Sequence, residues 1–281
     1  MPLSPPPVVD TRALFRPVSS ALIDLLRELP PDDFSRSTIA GSWTVRDVLA
    51  HLVDLTLRRV SFQRDRLVPP PPPFPIESDR DFVRFINTLN REWVAATRRL
   101  SPQVLTELFE LASRDLAAFF EARPLDAPAL FGVSWAGEER SAGWFDIGRE
   151  FTELWHHQMQ IRMAVGAPPL ADARYLKAVL DISVRALPHA YRDVSAEDGA
   201  TITIVIDGPA GGRWALMRED GRWAVFTGTP DRADARVRFS DDAAWRLLYN
   251  ALPVGDASTA IVGDGRADLI TPIFDARSVI V

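Results

Sequence analysis

The spacing of the apolar residues changes once along this chain, and this change limits the possible folds more than any other feature. Up to about Leu187, the apolar residues of most segments recur every three or four positions, which predicts helices. After Val194 they alternate, and ATITIVIDG, RWALMRED, RWAVFTG and ARVRFS each predict a strand. We therefore predict a helical domain over about residues 1–192 and a small α+β domain over about residues 193–281.

The ends of the predicted helices follow from capping residues, prolines and glycines. The first domain is predicted to contain helices over about residues 10–29, 44–67, 77–100, 102–121, 145–165 and 173–187. Thr44, followed three residues later by Asp47, is typical of a capping box. In the second domain, Glu219-Asp220-Gly221 predicts a hairpin turn, and DDAAWRLLYNAL and ADLITPIFDA predict two helices.

Charge and cysteine content exclude several classes of function. The net charge is -6 and the pI is near 5.3, which argues against nucleic acid or an anionic membrane as the main partner. The chain has no cysteine, so it can form neither a disulfide nor a thiolate metal site, and it has no nucleophilic thiol. We find no signal peptide and no membrane-spanning segment, and we expect a cytoplasmic protein.

His51 is the first candidate site residue among four histidines. It follows Val48 by three residues and precedes Leu55 by four, so it lies on the apolar face of the second helix. A histidine in that position is either an ordinary core residue with a hydrogen-bond partner or a ligand that faces the interior.

Glu153 and His157 are the second candidate feature, because residues four apart project side by side from a helix. Arg149 and Gln160 extend the same stripe, and Arg149 is a candidate to orient Glu153. Periodicity permits two interpretations: a solvated polar face, or a face that meets His51 inside the helical domain. Two imidazoles and one carboxylate suit Zn²⁺ with one open position, and they also suit Fe(II).

Two further residues are candidates for the neighbourhood of such a site. His156 lies three residues after Glu153 and is an alternative ligand, although it is rotated by about 60° from the stripe. Trp43 precedes a helix start, and it is the tryptophan that we most readily expect near a pocket. The chain has no GxSxG elbow, no P-loop and no GxGxxG before a helix.

Three segments carry a resemblance to a known family. GSWTVRDVLAHLVD (residues 41–54) resembles the second-helix signature of the DinB-like superfamily, in the branch of the mycothiol-dependent maleylpyruvate isomerases. REFTELWHHQMQIRMAVG (149–166) is similar to the second metal motif of that branch, and WRLLYNALPVGDASTAIVGD (245–264) is similar to its small C-terminal domain. The resemblance implies a DinB-like up-and-down α-helical bundle followed by a small α+β domain, with His51, Glu153 and His157 as the metal ligands.

The resemblance also implies an activity. Members of that family use a divalent metal, commonly zinc, to bring a low-molecular-weight thiol such as mycothiol to a small electrophilic substrate. We therefore expect a metal-dependent thiol isomerase or S-transferase, as a monomer or homodimer. A non-catalytic metal- or ligand-binding module and a metal-dependent hydrolase are the alternatives. The chain departs from the family pattern at Gln160, where an Asp is common, and in the proline run Pro69–Pro73.

Overall fold

Helices predominate before residue 192 and strands follow it, in a computed structural model that describes residues 3–170, 172–252 and 254–279. The helices are α1 (Phe15–Glu28), α2 (Val45–Arg59), α3 (Asp79–Thr97), α4 (Pro102–Ala122), α5 (Gly143–Val165), α6 (Ala173–Ser183), α7 (Leu187–Ala190), α8 (Asp241–Leu248), α9 (Val254–Ala260) and α10 (Ala267–Ile270). The strands are β1 (Thr201–Asp207), β2 (Gly212–Glu219), β3 (Arg222–Thr227), β4 (Ala235–Ser240) and β5 (Val262–Gly265). The predicted combination of helices with a sheet is confirmed, whereas the up-and-down bundle layout stays a prediction.

The described residues divide into two compact units. The helical unit comprises residues 11–124 and 153–170. The sheet unit comprises the described parts of residues 1–10, 125–152 and 171–280. The two units are defined by which residues pack together and not by position along the chain. The domain boundary predicted near residue 192 stays a prediction.

The helical unit is held together by one apolar stripe on each helix. Helix α4 packs against α1 and α2, and α2 also packs against α3. Burying one such aliphatic or aromatic side chain stabilises a fold by about 1.5–3 kcal/mol, so several per helix outweigh the weak intrinsic stability of single helices. The fully buried side chains in these stripes include Val18, Leu22, Val48, Leu49, Leu105, Phe109 and Phe120.

The predicted capping box at the start of α2 is confirmed. The Thr44 hydroxyl accepts a hydrogen bond from the Asp47 backbone N–H at 3.3 Å, and Asp47 Oδ2 accepts one from the Thr44 backbone N–H at 3.1 Å. Two N–H groups at the helix start are thereby paired without water. The box determines where α2 begins and therefore which residues face the interior.

Helix α2 ends earlier than the prediction of about residue 67. After Arg59 the chain widens into a five-residue π-helix, Val60–Arg64. Arg66 then has a positive φ of 58°, a left-handed conformation that cannot continue a helix. The proline run begins three residues later and has no backbone N–H groups for helical hydrogen bonds.

Helix α6 also ends earlier than predicted, at Ser183 rather than at about residue 187. A 3-10 turn, Val184–Ala186, follows it, and the short helix α7 then begins with Pro188 in its first turn. Proline is tolerated there because the first N–H groups of a helix have no intrahelical partner. In a continuous helix the same proline would remove one hydrogen bond, so the chain starts a new helix instead.

The sheet unit contains a mixed five-stranded sheet with the order β3-β2-β1-β4-β5. Strand β1 pairs with β4 in parallel, and the other neighbours are antiparallel. The predicted hairpin between β2 and β3 turns at Asp220 and Gly221, both with positive φ, which confirms it. Strand β5 and helix α9 were not predicted, because VGDG lacks the β-branched alternation of a strand and VGDASTA is rich in residues with low helix propensity.

We expect Thr44→Ala to lower the free energy of unfolding by about 0.5–2 kcal/mol, because it leaves the Asp47 backbone N–H without its side-chain acceptor. Urea unfolding followed by far-UV circular dichroism measures the change. Arg114→Ala, an exposed change inside α4, is the control and should stay within about 0.5 kcal/mol of the parent protein. Equal stability of both variants would contradict the role of the capping box.

Candidate metal centre

Three polar side chains meet inside the helical unit. The potential ligand atoms of His51, Glu153 and His157 all lie within 4.8 Å of one another. Nε2 of His157 is 3.4 Å from Oε2 of Glu153, and the rings of His51 and His157 meet edge to face with centroids 4.8 Å apart. Across the residues that the structure describes, this is the one group of three or more such side chains close enough to share an ion.

His51 is buried on the apolar face of α2 and contacts the ring of Trp43. It lies in α2 with only 5% of its surface exposed, between the buried residues Val48 and Leu52. The Trp43 ring, just before the capping box, has its centroid 4.8 Å from that of His51 and 6.5 Å from that of His157. Trp43 therefore lies beside the three-residue group, and the expectation that it lies near a pocket stays a prediction.

A second tryptophan supports the backbone at His51. Trp93 of α3 donates a hydrogen bond from Nε1 to the carbonyl oxygen of Ala50 at 2.8 Å. A buried indole N–H needs such a partner, and this bond ties α3 to α2 one residue before His51. Periodicity along the sequence does not reveal this contact, since it depends on how two helices pack.

The second half of α5 supplies the other two residues. Glu153 and His157 project side by side, as their spacing predicts, and His157 is buried with 6% of its surface exposed. His157 Nδ1 lies 2.7 Å from Oε1 of Gln160, which is also buried. The end of this helix is tied to α1, because Arg162 donates to the carbonyl oxygen of Ala21 at 3.0 Å. The solvated-face interpretation of this stripe is therefore wrong for the Glu153–Gln160 segment.

The remaining sequence candidates, His156 and Arg149, lie outside the three-residue group. His156 is buried and its ring lies tilted beside that of His157 with centroids 4.0 Å apart, but His157 is the one that completes the three-residue group. Arg149 was expected to orient Glu153, yet it pairs with Asp146 and lies 3.6 Å from Glu150. Asp146 is one turn back on the same helix, so the Arg149 side chain reaches it directly. This part of the prediction is wrong.

Burial and neighbouring charges shift the pKa values of His51 and Glu153, and both shifts favour the forms that bind a metal. Burial and the charge of His157 hold the pKa of His51 well below its usual 6.5. For Glu153, burial would raise the pKa, but His156, His157 and His51 together lower it to about 2. The cluster therefore combines an ionised carboxylate with an uncharged imidazole at neutral pH, which are the protonation states that a metal ion requires of its ligands.

One cation near this cluster is absent from the residues predicted from the sequence. Arg58 lies on the same face of α2 as His51, two turns later, and contributes to the lowered pKa of His51. Its Nη2 is 3.1 Å from Oδ2 of Asp54, whose pKa is raised by burial. The sequence spacing could have indicated that Arg58 lies near His51, since residues 51, 54 and 58 share one helix face.

The donor set fits a divalent metal. Two imidazole nitrogens and one carboxylate oxygen are ligands that Zn²⁺ binds at about 2.0–2.2 Å, which places ligand atoms about 3–3.5 Å apart. In this structure at most 4.8 Å separates the corresponding atoms of the three residues. Nδ1 of His51 is buried and has no hydrogen-bond partner within the described part of the chain, so the protein does not satisfy this imidazole fully.

Comparison with known proteins gives the chain a family. Residues 15–162, just over half of the chain, match the family model described as the mycothiol maleylpyruvate isomerase N-terminal domain. This match confirms the resemblance drawn from the sequence motifs. No curated protein sequence matches the chain.

Solved structures show the same fold at low sequence identity. The crystal structure of the mycothiol-dependent maleylpyruvate isomerase aligns with a TM-score of 0.54 at 15% identity, covering 92% of this chain and 93% of that one. A histidine-to-alanine mutant of that isomerase aligns with a TM-score of 0.53, also at 15% identity and with the same coverage.

No helix among the described residues is both long and apolar enough to cross a membrane.

We expect the metal-free protein to lose stability as the pH falls below about 6.5. The unfolded chain takes up a proton on His51 near its usual pKa of 6.5, whereas the folded chain resists protonation there, so acid favours the unfolded state. His51→Gln should reduce the slope of unfolding free energy between about pH 7 and 5 by up to about 1.4 kcal/mol per pH unit.

Urea unfolding across that pH range measures the slope. His189→Gln, which removes a half-buried histidine of the sheet unit, is the control and should leave the slope closer to that of the parent protein. A His51→Gln slope equal to the parent slope would show that His51 titrates alike in both states.

Proposed function

The chain belongs to the mycothiol maleylpyruvate isomerase N-terminal domain family, and from this premise we propose that His51, Glu153 and His157 bind one divalent metal ion that serves thiol chemistry. Membership also makes the chain a thiol-dependent enzyme of the isomerase or transferase kind, as the sequence predicted. The metal, its identity and the ligand roles are our proposal. The observation that carries the proposal is that two imidazoles and one carboxylate come together inside the helical unit, with their potential ligand atoms within 4.8 Å of one another.

The charge balance of the cluster supports this proposal. Glu153 is ionised and mostly buried, and an isolated buried carboxylate is costly unless a cation or several hydrogen bonds compensate it. Histidine protonation offers one compensation, but burial opposes it at His51. A divalent cation offers the other and leaves the histidines uncharged. Among common metals we propose Zn²⁺, because the set of two histidines and one glutamate leaves one position for a further ligand.

The absence of cysteine supports an external thiol. The chain has no sulfur nucleophile of its own, so a thiol reaction needs a small cofactor thiol such as mycothiol. A bound divalent cation supplies one chemical function, which is to lower the pKa of a thiol that coordinates it. The residues of the cluster hold the cation. The Trp43 ring helps to exclude water from it, because its centroid lies 4.8 Å from that of His51 and 6.5 Å from that of His157.

For the isomerase reaction, the substrate is an electrophilic alkene conjugated to a carbonyl group. The thiolate adds to one alkene carbon and forms a C–S bond, and the electron pair of the double bond moves onto the carbonyl oxygen. The remaining C–C single bond rotates. The electron pair then returns, the C–S bond breaks, and the thiolate leaves from the trans product. In an S-transferase the C–S bond persists and the carbon takes up a proton. We propose this chemistry on a DinB-like helical bundle followed by a small α+β domain.

We expect the purified protein to bind about one divalent ion per chain, and His51→Ala and His157→Ala each to release most of it. Losing one of three protein ligands weakens binding by orders of magnitude. Metal content by elemental analysis and Zn²⁺ affinity by competition titration measure the effect.

His156→Ala is the matched control, because it removes the adjacent buried imidazole and keeps the three-residue group. It should retain the metal. Full metal content in both His51→Ala and His157→Ala would refute the proposed ligand set. Loss in His156→Ala with retention in His157→Ala would assign the site to the other histidine.

We expect turnover of a cis-enedioate or another conjugated electrophile to require added mycothiol or a comparable small thiol. Chelation should abolish this turnover, and added Zn²⁺ should restore it. Because a nearby cation favours the thiolate, the rate should rise at a lower pH than that of the uncatalysed thiol addition. Product analysis with and without thiol and chelator measures all three effects.

Two outcomes would contradict the thiol proposal. Turnover at the same rate without thiol would favour metal-dependent hydrolysis. Tight binding of a thiol without turnover of any electrophile would favour a non-catalytic binding module.

A further inference from the structure

Gln160 makes a close polar contact with the candidate metal centre from outside it. Its side-chain Oε1 lies 2.7 Å from Nδ1 of His157, one helical turn away on α5. Both side chains are buried, with 5% and 6% of their surfaces exposed. A short hydrogen bond in a buried setting is well shielded from competition with water.

The chemistry of this contact determines which nitrogen of His157 carries a proton. An amide oxygen only accepts hydrogen bonds, so Nδ1 must be the donor and must keep its hydrogen. In the uncharged ring the lone pair then belongs to Nε2. Nε2 lies 3.4 Å from Oε2 of Glu153, so it points into the three-residue group. Glu153 could also accept a proton from Nε2, but that contact is longer than the 2.7 Å contact between Nδ1 and Gln160, so Nδ1 takes the proton in the uncharged ring.

The uncharged state of the amide matters as well. A carboxylate at position 160 would also accept the hydrogen bond from Nδ1, but it would add a second buried negative charge near Glu153. The amide supplies the acceptor without that charge. It therefore orients His157 and leaves Glu153 as the carboxylate of the cluster.

We propose that Gln160 is a positioning residue that holds His157 in the tautomer protonated on Nδ1 and so presents Nε2 to the metal. This inference rests on the proposed metal function. It assigns Gln160 a role through His157 and no contact with the substrate or the metal. The same hydrogen bond restricts rotation of the His157 ring. Without it, neither the tautomer nor the orientation of the ring is fixed.

Three variants test this role. Gln160→Met keeps the length of the side chain and removes the acceptor, and Gln160→Glu keeps the acceptor. Gln158→Met is the matched control, since Gln158 is a buried amide on the same helix that lies against Val18 and Leu22. We expect Gln160→Met to weaken Zn²⁺ binding by about 10–100-fold. Gln160→Glu keeps the acceptor and adds a negative charge that the bound cation offsets, so it should bind Zn²⁺ no more weakly than the parent protein. Gln158→Met should stay near the parent affinity.

A second measurement reads the tautomer directly. Long-range ¹H–¹⁵N correlation spectra of ¹⁵N-labelled protein at about pH 8 distinguish the two uncharged forms of His157. We expect the proton on Nδ1 in the parent protein with and without Zn²⁺, and a mixture or the other tautomer in Gln160→Met.

The two measurements separate the possible failures. If the parent protein binds no metal, the proposed function fails, and the spectra of the metal-free protein still decide the role of Gln160. If the parent binds Zn²⁺ and Gln160→Met binds it within threefold, or if the parent carries the proton on Nε2, the role of Gln160 is refuted. Equal losses in Gln160→Met and Gln158→Met would show a general packing effect and would refute it too.

Discussion

The ionised carboxylate of Glu153, placed among imidazoles inside the helical unit, is the interaction on which the candidate site depends. Burial alone would raise its pKa and neutralise it, and His156, His157 and His51 reverse that effect. Burial acts on His51 in the opposite direction and keeps its pKa low. The arrangement of the cluster rather than solvent therefore sets these protonation states, and a small displacement of one helix would remove the neighbours that keep Glu153 ionised.

The surrounding structure limits such displacement. The capping box of Thr44 and Asp47 determines where α2 begins, and Trp93 ties the backbone of Ala50 to α3. On the other side, Gln160 holds the ring of His157. None of these residues belongs to the three-residue group. Each one reduces the freedom of a residue that does, and a preorganised ligand set binds a metal more tightly because less conformational entropy is lost on binding.

Much of the secondary structure could be predicted, and the failures have physical causes. Helices with a buried apolar stripe and a recognisable cap, such as α2 and α4, were predicted to within a few residues at their starts. The end of α2 was misplaced because the π-helix keeps helical spacing in the sequence although its hydrogen bonds differ. Strand β5 was missed because its own sequence, VGDG, carries no strand pattern. It is stabilised by pairing with β4, which lies more than twenty residues earlier in the chain.

Within the site, the sequence by itself determined the residue types and their faces. Helical periodicity places His51 with the apolar residues of α2 and places Glu153 beside His157 on α5, because the side-chain directions of a helix repeat every 3.6 residues. The resemblance to the family motifs then predicts that the three residues form one ligand set. What only the tertiary structure decided is that these two faces meet, with the potential ligand atoms of the three residues within 4.8 Å of one another, and that Arg149 pairs with Asp146. The physical reason is that periodicity describes each helix about its own axis, whereas a metal centre depends on the distance between helices, which packing sets.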